Sequence, residues 1–190
     1  MIHRKNPFPH PEQVYPVQED TLLLLEVAEA EVRPSDRVLE VGVGSGYISR
    51  QIMGHVACLV ATDINPHAVQ DARNLGIDVL RTDLLAGICG QFDLILFNPP
   101  YLPTLPEDRM NDWLEYALDG GRSGREVIGR FAAQAGGVLA PKGRILLLIS
   151  SLTGQREVEY LFTCQGMVGE ILKESSVDEE RLFVYRFRKH

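Results

Sequence analysis

The feature that most limits what this chain can fold into is a series of short, almost unbroken apolar runs separated by stretches of helical periodicity. The runs are "RVLEV" (37–41), "CLVATD" (58–63), "IDVL" (77–80), "FDLILF" (92–97) and "GRILLLIS" (143–150). Such runs are strands buried on both faces, and strands joined through helices pair in parallel. Helices are expected over 19–31, from Gly46 to about Met53, after Pro66 at a first turn, over about 124–139, and from about Gln155. "VGEILKES" (168–175) and "RLFVYRF" (181–187) have no helix between them and must form an antiparallel hairpin at one edge. The expected fold is α/β, with a seven-stranded, mostly parallel sheet covered by helices on both faces. Residues 1–18, rich in proline, read as an N-terminal arm, and 19–190 as a single domain. Asp20 or Thr21 is placed to cap the first helix.

Composition removes several classes of function. No stretch approaches the roughly 18–20 apolar residues that cross a bilayer, and "MIHRKNPFPHPEQ" has no signal-peptide core. The chain reads as soluble and cytoplasmic, with no membrane partner. The net charge of −7 gives no general attraction to a phosphate backbone, which argues against nucleic acid as direct substrate. Cys58, Cys89 and Cys164 lack metal-like spacing, so no metal site is expected, and Cys58 and Cys164 read as small core fillers.

"VLEVGVGSG" puts Glu40, Gly42, Gly44 and Gly46 where the first strand becomes a loop and then a helix. Glycines there let the backbone approach a ligand. The spacing is not that of the dinucleotide fingerprint G-x-G-x-x-G, since Tyr47 follows the third glycine. Glu40 would repel a pyrophosphate and suit a cofactor with a cationic end. Asp63, after the second strand, is placed to accept both ribose hydroxyls of a nucleoside-type cofactor. Asp83, after the third, is either an acceptor for an adenine amine or a solvated loop acid or helix cap.

"FNPPY" ends the fourth strand with restricted geometry. Pro99 and Pro100 have fixed φ and no N–H, and Asn98 before Pro99 is held extended. The Asn98 side chain and the Pro99 carbonyl can then act as two acceptors for the hydrogens of one planar –NH₂ group, in an amide or on a base. Tyr101 can stack on the group that carries it, or lie near a sulfonium. Two acceptors stabilise positive charge developing on a nitrogen that is otherwise a poor nucleophile. No carboxylate stands out as a base.

Together, "EVGVGSG", "ATDINPHAV", "RTDLL" and "FNPPYLP" resemble the HemK-type class I S-adenosylmethionine-dependent methyltransferases, which modify a glutamine of translation release factors. "VYPVQEDTLLLL" and "LDGGRSGREVIGRF" narrow the likeness to the short archaeal and eukaryotic branch, from Val14 to about Phe187. The resemblance implies a Rossmann-like fold and methyl transfer to N5 of the glutamine in the Gly-Gly-Gln loop of a class 1 release factor. The cofactor would be S-adenosyl-L-methionine and the product S-adenosyl-L-homocysteine. It further implies that Asn98, Pro99 and Tyr101 hold the glutamine amide, with Pro100 and Arg122 beside the substrate. Glu40, Gly42, Gly44 and Gly46 would wrap the methionine part of the cofactor. Asp63 and Ile64 would take its ribose, and Asp83 and Leu84 its adenine. Tyr15, Asp20 and Thr21 would border the same pocket, with Asn98 at its inner end.

The first strand begins after only about 36 residues, so the helical N-terminal domain of bacterial relatives is expected to be missing. The resemblance implies a small zinc-binding, Trm112-like activator in its place, forming a heterodimer by adding a strand beside "IDVL". Zinc would then belong to that partner. An uncovered edge and the run Leu22–Leu25 predict poor solubility alone. "GGRSGRE" is either a capped helix start, Ser123 with Glu126, or a source of Arg122 or Arg125 for the site. "LPEDRMNDWLEYA" reads as a lid, although Trp113 is also a candidate core residue. Rival readings are an adenine-N6 methyltransferase of DNA or RNA and a lysine methyltransferase.

Overall fold

Strands β1 (Arg37–Val41) and β4 (Phe92–Phe97) lie side by side, although β2 (Cys58–Asp63) and β3 (Val79–Arg81) come between them in the chain. The computed structural model describes residues 13–105, 112–177 and 179–190. The sheet order is β3-β2-β1-β4-β5-β7-β6, with β5 spanning Leu139–Ser150, β6 Met167–Val177 and β7 Glu180–Lys189. Strands β1 to β5 pair in parallel, and β7 runs antiparallel to both β5 and β6. The expected seven-stranded sheet with a hairpin at one edge is therefore observed. Strand order reverses between β1 and β4, which opens a crevice at their carboxyl ends, where open α/β sheets bind ligands.

Alternation along the strands builds two cores. Val38, Leu94, Leu96, Leu146 and Leu148 face helices α1 (Glu19–Glu31), α2 (Tyr47–Ile52) and α3 (Pro66–Asn74). Leu39, Val41, Ile95, Phe97, Ile145 and Leu147 face α5 (Glu126–Val138) and α6 (Gln155–Thr163). Leu94, Ile95 and Leu96 are consecutive and all fully buried, each contributing about 1.5–3 kcal/mol by burial. The short α4 (Trp113–Tyr116) belongs to neither layer.

Several expectations change. The third strand is Val79–Arg81 rather than 77–80, and the fifth begins at Leu139, before Pro141. Cys58 and Cys164 are exposed, not core fillers, because strand and helix ends carry them to the surface. Helix α1 starts after Gln18 without a side-chain cap. Asp20 and Thr21 lie inside its first turn and are buried, so Asp20 has another use. Of the leucine run, Leu23 to Leu25 are buried and Leu22 is exposed. Strand β3 is an open edge, with Leu80 half exposed.

At the far side from the crevice, Arg144 of β5 is 3% exposed and fully engaged. Its Nη2 meets Asp36 Oδ2 at 2.7 Å, and its Nε meets Glu31 Oε2 at 3.2 Å. Glu31 Oε1 also accepts from Arg186 Nη1 at 2.7 Å. The network ties the end of α1 to β5 and β7.

Candidate active site

The crevice is a cavity of about 1010 Å³. Small-ligand sites run to roughly 300–1,000 Å³, so it has room for a cofactor and a substrate side chain together. Tyr15, Asp20, Thr21, Glu40, Gly42, Gly44, Asp63, Ile64, Asp83, Leu84, Asn98, Pro99, Pro100, Tyr101 and Arg122 all line it. Gly46 does not. Its φ of +75° starts α2, and a Cβ there would come within 3.0 Å of the Leu75 and Ile77 side chains. Gly46 therefore serves packing between α2 and α3, not the cavity wall.

The glycine loop is shaped by Asp63. Its Oδ2 accepts from Gly44 N at 2.9 Å and its Oδ1 from Asn65 N at 2.8 Å. Gly42 and Gly44 have φ of +69° and +51°, where a side chain is strained. Asp63 is largely buried, and burial pushes its pKa up despite these backbone donors.

Glu40 is buried beneath the same loop. Its Oε2 accepts from Ser49 N at 3.0 Å and from Ser49 Oγ. Burial pushes its carboxyl up to about 8, against the pull of the Ser49 bonds and with help from the Asp63 charge. A cation placed beside it would restore the charged form.

The arm is fastened over one end of the cavity. Val14 is buried in the core and Gln13 O accepts from Asn65 Nδ2 at 2.7 Å. Residues 1–12 lie outside the described residues. Asn65 also starts α3, accepting from His67 N at 2.9 Å. The arm thus delivers Tyr15, whose hydroxyl donates to Asp20 Oδ2 at 3.1 Å.

Asp20 is the hub of this end. Its Oδ1 accepts from Thr21 N at 2.6 Å, and its Oδ2 accepts from Asn98 Nδ2 at 3.0 Å. A carboxylate only accepts, so it fixes which end of the Asn98 amide it faces. Asn98 Oδ1 is left buried with no partner among the described residues. Tyr101 lines the cavity beside them, its phenol pushed up by burial and then by the Asp20 charge.

The segment after Asn98–Tyr101 is braced by the "GGRSG" loop. Leu102 N donates to Leu118 O at 3.2 Å, Gly120 N to Leu102 O at 3.0 Å, and Thr104 N to Gly121 O at 2.9 Å. A Cβ on Gly124 would lie 2.5 Å from the Tyr101 carbonyl oxygen. This close approach, invisible in the sequence, explains the glycine. Glu126 accepts from Ser123 N, but it opens α5 itself, with Arg125 as cap residue. The Ser123–Glu126 contact is therefore a tightened loop and not a standard capping box. Burial pushes the Glu126 carboxyl up, and the hydrogen bonds donated by Ser123 and by the Glu126 and Arg125 backbone together outweigh it and hold it low.

The two arginines separate. Arg125 Nη1 donates to Thr153 O at 2.6 Å and is structural, whereas Arg122 is exposed and faces the cavity. Asp83 is paired with Arg130 through Oδ2, which leaves its other oxygen for a ligand. Trp113 is not core. It lines the cavity on α4, with the Arg81 guanidinium 5.7 Å from its ring centre. Residues 106–111 of the expected lid lie outside the described residues. Arg130 and Glu180 also line the cavity and Ser49 supports Glu40 beneath it, all through tertiary contacts with no local signal in the sequence.

A family model, the methyltransferase small domain, matches residues 16–111. A Methanocaldococcus jannaschii protein that carries the provisional name protein N5-glutamine methyltransferase MJ0928 is 39% identical over 188 residues, covering 92% of this chain and 91% of that one. The chain belongs to the protein N5-glutamine methyltransferase family. The enzyme is also 36% identical to the mouse methyltransferase HEMK2 over 192 residues, covering 93% of this chain and 90% of that protein. Its fold matches the E. cuniculi Mtq2 structure, solved with Trm112 as the complex that methylates the termination factor eRF1. That match has a TM-score of 0.79 and 29% identity, and covers 94% of this chain and 99% of the other. No described helix is long and apolar enough to cross a membrane.

Proposed function

We propose that the enzyme transfers a methyl group to N5 of the glutamine in the Gly-Gly-Gln motif of a class 1 peptide chain release factor. The observation that carries this reading is the pairing of Asp20 with Asn98. It leaves a buried acceptor, Asn98 Oδ1, unsatisfied at the inner end of the cavity. A buried unpaired acceptor costs about 1–3 kcal/mol, which an incoming N–H donor relieves.

The residues present fit S-adenosyl-L-methionine. Glu40, whose carboxyl burial holds neutral until a cation lies beside it, suits the cationic methionine end beside Gly42 and Gly44. Asp63 and Ile64 line the ribose position, and Asp83 with Leu84 the adenine position. Leu84 lines the cavity with its backbone in the left-handed region, at a φ of +51°. Tyr15 and Thr21 border the cofactor on the arm side. Once bound, the cofactor would supply an electrophilic methyl on a sulfonium: its C–S bond would break to leave the thioether S-adenosyl-L-homocysteine, and the amide nitrogen would gain the methyl and give up one proton to water.

The chain's own part is positioning. Asn98 Oδ1 and the Pro99 carbonyl accept the two amide hydrogens and hold the nitrogen lone pair toward the methyl. Positive charge growing on nitrogen meets these two acceptors in a partly water-excluded wall. Pro100 keeps the segment stiff, Tyr101 walls the slot, and Arg122 stands at the rim for the substrate.

The open β3 edge, with Leu80 exposed, supports a Trm112-like activator that adds a strand there and brings its own zinc. The location this implies is the cytoplasm. The net charge of −7 disfavours oligonucleotides, whose amines share the same chemistry. The test is labelled methyl transfer from S-adenosyl-L-methionine to purified release factor, with and without the activator. Label in the factor supports the reading, and label only in an oligonucleotide control rejects it.

A further inference from the structure

The acids around the cavity are nearly all satisfied. Asp20 is met by Thr21, Tyr15 and Asn98, Glu40 by Ser49, Asp63 by Gly44 and Asn65, and Asp83 by Arg130. Glu180 is different. It opens β7 at the tip of the β6–β7 hairpin and lines the same cavity. Its Oε1 is buried and has no hydrogen-bond partner among the described residues. The neighbouring Arg181 does not neutralise it, since that guanidinium is committed to Glu174 at 2.7 Å and to the Phe183 ring. The charge of Glu180 is felt at Tyr15 and Tyr101, whose phenols are raised by burial first and by this carboxylate among others. Glu180 therefore shares the part of the cavity lined by Tyr101, which walls the substrate slot, and by Tyr15 of the arm.

We infer that Glu180 is a substrate-positioning residue whose Oε1 accepts a main-chain N–H from the glutamine-bearing loop of the substrate. A carboxylate with one oxygen buried and unpaired needs a donor. A Gly-Gly-Gln stretch has exposed backbone N–H groups, because its glycines carry no side chain to cover them. With the glutamine side chain held by Asn98, Pro99 and Tyr101, its own backbone remains at the slot's outer end. Glu180 would then fix the loop while Asn98 fixes the amide. The inference rests on the proposed release-factor reaction.

The test is steady-state methylation of the release factor by the complex with its activator, comparing wild type, Glu180→Ala and Glu180→Gln. Cofactor affinity and thermal midpoint are measured alongside. A lost hydrogen bond to a charged acceptor predicts that KM for the factor rises roughly 10- to 100-fold in Glu180→Ala. kcat should stay within about twofold and cofactor affinity should not change. Glu180→Gln keeps an acceptor oxygen and should raise KM less, by about threefold. An unchanged KM in both variants, with wild-type turnover intact, overturns the inference alone. So does a fall in kcat at constant KM that is largest at high pH and narrows as pH falls, which would make Glu180 a proton acceptor. A wild-type complex that does not methylate the factor overturns the proposed function, and this inference with it.

Discussion

Asp20 Oδ2 accepts from Asn98 Nδ2 at 3.0 Å, across 78 positions of sequence. The first helix thus orients the amide that ends the fourth strand. Asp20→Ala frees Asn98 to rotate and present its NH₂ toward the substrate amide nitrogen. We expect kcat to fall roughly 100-fold, the scale of misplacing a reacting group by about 1 Å. Cofactor affinity should change less than threefold, about 0.7 kcal/mol. Kinetics and calorimetry on one preparation check both numbers.

Glu40 predicts a pH signature. Its folded pKa is raised from the ordinary 4.5 to about 8. Between those values the ligand-free folded protein holds a proton that the unfolded chain has released, so this group's contribution to stability falls as pH rises through that window. A cationic cofactor end favours the carboxylate, so binding below pH about 8 should release a proton and strengthen as pH rises. Calorimetry at neutral pH in two buffers of different ionisation enthalpy should give different binding heats. The difference should shrink in Glu40→Gln.

Gly124→Ala should damage the site from outside it. The φ of +74° disfavours any side chain, and the added Cβ would meet the Tyr101 carbonyl at 2.5 Å. The left-handed conformation alone costs about 1–2 kcal/mol. The clash must move the Asn98–Tyr101 segment. A folded variant with at least tenfold lower kcat is expected, with cofactor affinity retained, since the glycine loop is untouched.

Asp36→Ala leaves Arg144 buried and short of a partner. Breaking a buried pair costs about 3–5 kcal/mol, and urea denaturation should show a loss of that order. Methyl transfer per folded molecule should stay near wild type, because the Arg144 network lies at the opposite end of the sheet from the cavity.

The sheet was legible because β1, β2 and β4 announce themselves as apolar runs at strand length. Asn98 to Tyr101 was legible because two prolines restrict the backbone in a way no ordinary turn requires. Other residues were hidden by distance. Asp20 read as a helix cap or cofactor contact, since nothing near it in sequence shows that its partner is Asn98. Gly124 read as part of a helix start, because its neighbour, the Tyr101 carbonyl, comes from another loop. Glu180 sits in an acidic hairpin where a solvated charge is the ordinary expectation. Cys58 and Cys164 misled because apolar neighbours in sequence do not determine which face a terminal residue takes.

The most direct measurement is mass spectrometry of release-factor peptides after reaction with S-adenosyl-L-methionine, the enzyme and the Trm112-like activator proposed for it. The account predicts one added methyl on the glutamine of Gly-Gly-Gln, lost in Asn98→Ala while that variant still binds the cofactor. A folded, cofactor-binding complex that leaves that glutamine unmodified would contradict it.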